Sequence, residues 1–160
     1  MKKLILVGIC LIMFSCETEF IVDSRVKPFV DTFYQEANSR GIVLKKTNLI
    51  IGLRKNLLKN TGALGAATIE TGLFTNKQES IVIDEEFFLN STVYQIETIV
   101  FHELGHTLLN RRYHTNQIPS IMRASSVYCG YCYGGYMINC QATEGHRRAL
   151  LDELFLNRYN

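Results

Sequence analysis

Residues 92 to 112 carry the pattern that most restricts how this chain folds. Thr92-Val93-Tyr94-Gln95 has the spacing of a capping box, in which the hydroxyl and the glutamine side chain satisfy free N–H groups at a helix start. An apolar-rich stretch follows to Leu109, and Asn110 with the basic pair Arg111-Arg112 suits a C-terminus. Inside this helix His102 and His106 stand four residues apart. Four residues turn a helix by about 400°, so both imidazoles leave the same side, one turn apart.

Two imidazoles so placed present their nitrogens to one tetrahedral Zn²⁺. Glu103, next to the first histidine, can lean over the metal's open position without ligating it. A carboxylate there takes a proton from metal-activated water and returns it to a leaving amine. Gly105 sits mid-helix at a cost of about 1 kcal/mol relative to alanine, which points to close packing or site access at that position.

The run His102-Glu103-Leu104-Gly105-His106 resembles the HExxH helix of the zincin metallopeptidases. Pro119-Ser120-Ile121-Met122 resembles the Met-turn of the metzincin branch, and together the likeness covers residues 80 to 125. It implies a small zincin-like catalytic domain, one catalytic Zn²⁺, peptide-bond hydrolysis with Glu103 as general base and acid, and Met122 as an apolar floor beneath the metal. The family pattern places a glycine and a third histidine where this chain has Leu109 and Arg112. His114, two residues later, is the favoured third ligand, with Asn110 supplying the turn because it tolerates the left-handed conformation. Glu144 or His146 from the last helix is the alternative, as in the branch with a glutamate ligand. By the same likeness, the aromatic and glycine-rich run Tyr128 to Tyr136 would form one wall of a substrate pocket, where one tyrosine would donate a hydrogen bond to a tetrahedral intermediate.

Composition sets the frame for these readings. The chain has 160 residues, 47% of them hydrophobic, which suits one domain with a real core and not two. A net charge of +2 with no basic stripe argues against a nucleic-acid partner. Lys2-Lys3 followed by the apolar run Leu4 to Phe14 reads as an export signal over residues 1–15, too short to span a bilayer as a mature helix. Ser15-Cys16 at its end resembles a bacterial lipobox. That likeness implies lipidation of Cys16 and membrane attachment at the cell envelope, on the periplasmic or the surface-exposed side. The expected partners are thus a peptide or protein substrate and a membrane. Cys129, Cys132 and Cys140 complete the five cysteines. In an oxidising compartment one disulfide among them, pinning the loop, is the simplest reading.

The remaining elements follow from periodicity. Residues 16–23 read as a tether before a domain over 24–160. A backing helix is expected over 24–40, with Val26, Phe29, Val30, Phe33, Tyr34 and Ala37 on one face. Strands are expected over 42–53, 64–71 and 80–84, with a helical turn possible within 54–60. The strand over 64–71 is expected at a sheet edge, open to pairing with an extended peptide. A final helix is expected over 141–157, with Leu150, Leu151, Leu154 and Phe155 inward. The whole is an α+β domain with a twisted sheet of three to four strands.

Overall fold

Four strands form one mixed sheet in the order β1-β2-β4-β3. The computed structural model describes residues 19–46, 48–70, 78–115, 120–123 and 144–156. The strands are β1 (Phe20–Val22), β2 (Leu49–Arg54), β3 (Gly65–Glu70) and β4 (Gln78–Asp84). β1, β2 and β4 run parallel, and β3 lies antiparallel to β4 at the sheet edge. Five helices complete the described fold: α1 (Lys27–Ser39), α2 (Leu57–Thr61), α3 (Glu85–Asn90), α4 (Val93–Leu108) and α5 (Glu144–Leu156). This is the α+β class expected.

Helix α1 crosses between the parallel strands β1 and β2. Pro28 sits in its first turn, where its missing N–H is no loss. Val30, Phe33 and Ala37 are buried, and the chain leaves the helix through Gly41 at φ 75°. Phe33 meets Phe101 of α4 edge-on at 5.1 Å and Phe155 of α5 at 4.9 Å between ring centres. These contacts lock the three long helices into one core with Ile51, Ile81 and Ile83 of the sheet. Burying a side chain of this size contributes about 1.5–3 kcal/mol.

Three expectations are corrected. Phe20–Val22, read as part of a tether, is a strand whose residues pair with Leu49, Ile50 and Ile51. The strand expected from residue 42 begins at Leu49. Asn48 at φ 55° breaks the extended conformation just before it. Helix α3 was not expected: it starts because buried Asp84, the last residue of β4, accepts the Phe87 N–H at 2.8 Å, and Glu85 and Glu86 fall in its first turn. The second Asp84 oxygen accepts the Leu58 N–H at 3.0 Å, so this one carboxylate ties α2 and α3 to the end of β4.

The edge position of residues 65–70, the helical turn at Leu57–Thr61 and the inward set Leu150, Leu151, Leu154 and Phe155 are as expected. Residues 1–18, with the segment read as an export signal and Cys16, lie outside the described residues, as do Cys129, Cys132, Cys140 and the run Tyr128 to Tyr136. Among the described residues no helix is long and apolar enough to cross a membrane.

Candidate metal centre

Helix α4 is fastened at both ends. At its start the Thr92 hydroxyl accepts the Gln95 N–H at 3.3 Å, while the Gln95 side chain accepts the Thr92 N–H at 2.9 Å. Its body packs against α1, β3 and β4, with Ile99, Val100, Phe101 and Leu104 buried. At its end Asn110 takes the left-handed conformation at φ 55°, and the Arg111 N–H donates back to the Gly105 carbonyl at 3.0 Å. The chain therefore folds back over the last turn instead of running away from it. That reversal brings His114 to the face occupied by His102 and His106.

Three ring nitrogens converge there. The Nε2 atoms of His102 and His106 are 3.1 Å apart, those of His102 and His114 3.1 Å, and those of His106 and His114 3.3 Å. Nitrogens around a tetrahedral ion with metal–nitrogen distances near 2.0–2.1 Å would stand about 3.3 Å apart. The far side of two of these rings is fixed: His102 Nδ1 faces the Ile121 carbonyl at 2.8 Å, and His106 Nδ1 faces the Arg111 carbonyl. A carbonyl only accepts, so each Nδ1 carries the proton and each Nε2 is left with a lone pair aimed at the shared point. Two such lone pairs aimed at one point repel, and a cation at that point, with His114 Nε2 as a third donor, would relieve the repulsion. The donor set therefore fits a cation, and His102, His106 and His114 form a group able to hold a metal ion. His102 is buried, His106 half-buried and His114 exposed, so the site opens to solvent on the His114 side.

Electrostatics agrees with the geometry. Burial, aided by the neighbouring His106 and His114 and opposed by the Ile121 carbonyl, pushes His102 down to about 4. Burial also lowers His106, against the pull of the Arg111 carbonyl. Both rings are thus neutral at physiological pH, the state a ligand needs. Glu103, next in sequence and 4% exposed, is pushed up to about 7 by burial. A carboxyl group with that value can accept and release a proton near neutrality.

Two glycines make room for this arrangement. A Cβ on Gly65 of the edge strand would lie 2.5 Å from Glu103 Oε1, so β3 passes directly beside the carboxylate. A Cβ on Gly105 would lie 2.6 Å from Met122 Sδ and 3.2 Å from Leu154 Cδ1. Close packing at Gly105 was expected, and Met122 with Leu154 is its physical reason. Met122 is fully buried in the turn 120–123, against the helix segment between the two histidines.

Of the alternative ligands, His146 is exposed on α5 and lies outside the cluster, while the Glu144 side chain lies outside the described residues. The features that sequence reasoning missed are main-chain and long-range ones: the Arg111 and Ile121 carbonyls, the Gly65 approach to Glu103, and Glu153 behind the turn. Comparison of the chain with protein-family models, curated proteins and solved structures returns no match.

Proposed function

We propose that the protein is a zinc-dependent endopeptidase of the zincin type, acting on extracytoplasmic proteins from an envelope anchor at Cys16. The observation that carries this reading is the convergence of His102, His106 and His114 at 3.1–3.3 Å, with the buried carboxyl group of Glu103 next in sequence to the first of them. Metal scavenging or docking has no use for Glu103; hydrolysis does. A zinc ion in such a site supplies Lewis acidity toward a carbonyl and toward water. His102, His106 and His114 would hold it, and the Ile121 and Arg111 carbonyls would keep the first two rings in place. Glu103 takes the proton from the attacking water and passes it to the amine of the departing chain, and its raised value suits both transfers. Strand β3 supports the substrate half of the reading. It is an edge strand whose Gly65 abuts Glu103, so an extended peptide adding beside β3 would carry a scissile bond toward the carboxylate. An exported protein would allow one disulfide among Cys129, Cys132 and Cys140.

The decisive experiment is Glu103→Gln. Zinc binding should persist while peptide hydrolysis falls by about 10²–10⁴-fold, the contribution of a positioned acid–base group. Undiminished hydrolysis by that variant removes Glu103 from the chemistry. Stoichiometric zinc with no turnover of any peptide by the wild type leaves a zinc-binding module and no enzyme.

A further inference from the structure

The two carbonyls that orient the ligating rings belong to separate stretches of chain, Arg111 just after α4 and Ile121 in the turn 120–123. Both stretches are held by one side chain on α5. Glu153 Oε1 accepts from Arg111 Nη2 at 2.7 Å, and Glu153 Oε2 accepts from the Ser120 hydroxyl at 2.8 Å. Ser120 in turn accepts the Met122 N–H at 3.1 Å, which fixes the turn around Ile121. Arg111 Nη1 donates to the main-chain oxygens of Glu153 at 3.2 Å and Leu154 at 2.9 Å. Those carbonyls lie in the last described turn of α5, where the guanidinium meets the negative end of the helix dipole. The Arg111 and Glu153 side chains are only 10% and 11% exposed, which places the pair out of reach of most solvent screening.

We infer that Glu153 is a positioning residue for the metal centre: its two oxygens set the Arg111 and Ile121 carbonyls, and through them the aim of His106 and His102. The inference rests on the metal reading above. It has a consequence that a purely structural ion pair lacks. Docking of α5 and metal affinity become linked, because the same carboxylate serves both, and the link is reciprocal.

The test compares zinc affinity of wild type, Glu153→Gln, Ser120→Ala and Asp152→Asn by chelator competition, at a temperature where each metal-free protein is folded. Asp152, the neighbour of Glu153, pairs with Arg40 at 2.8 Å and docks α5 on α1 instead. Groups that orient ligating histidines are worth 10–100-fold in affinity, so Glu153→Gln should weaken zinc about tenfold, one bond further out. Ser120→Ala, which cuts one tie and leaves the Arg111 pair, should weaken it less, and it decides the matter should Glu153→Gln not fold. Asp152→Asn should lower the metal-free Tm and leave zinc affinity at the wild-type value. With cobalt(II) as probe, Glu153→Gln should also alter the visible absorption of the loaded protein, a signature of ligand geometry that a general loss of stability would not move. Wild-type zinc affinity in both Glu153→Gln and Ser120→Ala overturns the inference, as does an equal loss in Asp152→Asn. Failure of the wild type itself to bind zinc overturns the metal reading, and this inference with it.

Discussion

Helix α4 takes part in two polar clusters that are built on opposite logic. Toward its start, Glu97 is held by Arg147 of α5 through a forked contact, Nη2 at 2.6 Å and Nε at 3.2 Å. Arg147 also reaches Glu36 at 2.7 Å, Glu36 pairs with Arg40 at 2.6 Å, and Arg40 with Asp152. Acid and base alternate across α1, α4 and α5, three carboxylates with two guanidiniums between them, so every charge in this cluster faces an opposite one. Toward the end of the same helix, three imidazoles bring their Nε2 atoms together, and the carboxyl group next in sequence to His102 is buried. That cluster is built from ring nitrogens and not from acid–base pairs. The first is complete as a structural clamp, and the second is complementary to a cation from outside.

The comparison breaks if both clusters respond alike to zinc. In free zinc at a thousand times the dissociation constant, the wild type should gain about 4 kcal/mol of stability, read as a rise in unfolding midpoint. His102→Ala should lose that gain. Arg147→Met should keep it, although its metal-free form should be less stable by about 3 kcal/mol, since it removes the forked guanidinium contact from Glu97, whose side chain is 8% exposed. A zinc gain abolished in Arg147→Met would mean that the two clusters are one unit.

A pH series on the metal-free protein sharpens the contrast. His102 lies near 4 in the folded chain against an ordinary 6.5. Between these values the unfolded chain binds more protons, so His102 favours the fold at high pH and this support is lost as pH falls from 6.5 toward 4. Glu103 lies near 7 against an ordinary 4.5. Between those values the folded chain binds more protons, so Glu103 favours the fold at low pH and this support is lost as pH rises from 4.5 toward 7. The two slopes oppose one another over pH 4.5–6.5. Glu103→Gln removes one of them, so its metal-free stability should climb more steeply with pH across that window than the wild type's, and exceed the wild type's above pH 7. Parallel curves for the two proteins would show that Glu103 ionises in the fold as it does in water.

What was legible in the sequence was local. The capping box at Thr92, the histidine spacing and the apolar stripe of α5 are properties of a few neighbouring residues, and each stands where periodicity placed it. His114 was legible only in part: its offset from the family pattern is absorbed by a reversal that depends on Asn110 at φ 55°. The hidden features depend on partners far along the chain. Phe20–Val22 is a strand because Leu49–Ile51 offers it a parallel ladder. Glu153 carries no local signal in the sequence, and its role needs Arg111 and Ser120. The Gly65 approach to Glu103 arises only when the sheet edge and α4 are packed together.

The smallest expected effect concerns Gly105, where the two demands on α4 meet. Alanine there would improve helix propensity by about 1 kcal/mol. It would also place a methyl carbon 2.6 Å from Met122 Sδ and 3.2 Å from Leu154 Cδ1, and overpacking of this kind costs about 1–3 kcal/mol. The nearest atom is near the end of an unbranched, adaptable side chain, so much of the clash can be relieved by turning Met122. Gly105→Ala should therefore shift the unfolding free energy of the metal-free protein by no more than about 1–2 kcal/mol. Its larger consequence should be felt at the turn 120–123, because Met122 directly follows Ile121, whose carbonyl aims His102. Zinc affinity should fall by more than the metal-free stability change would suggest. If affinity stays at the wild-type value while stability drops, Met122 is packing for the helix alone and takes no part in shaping the metal centre.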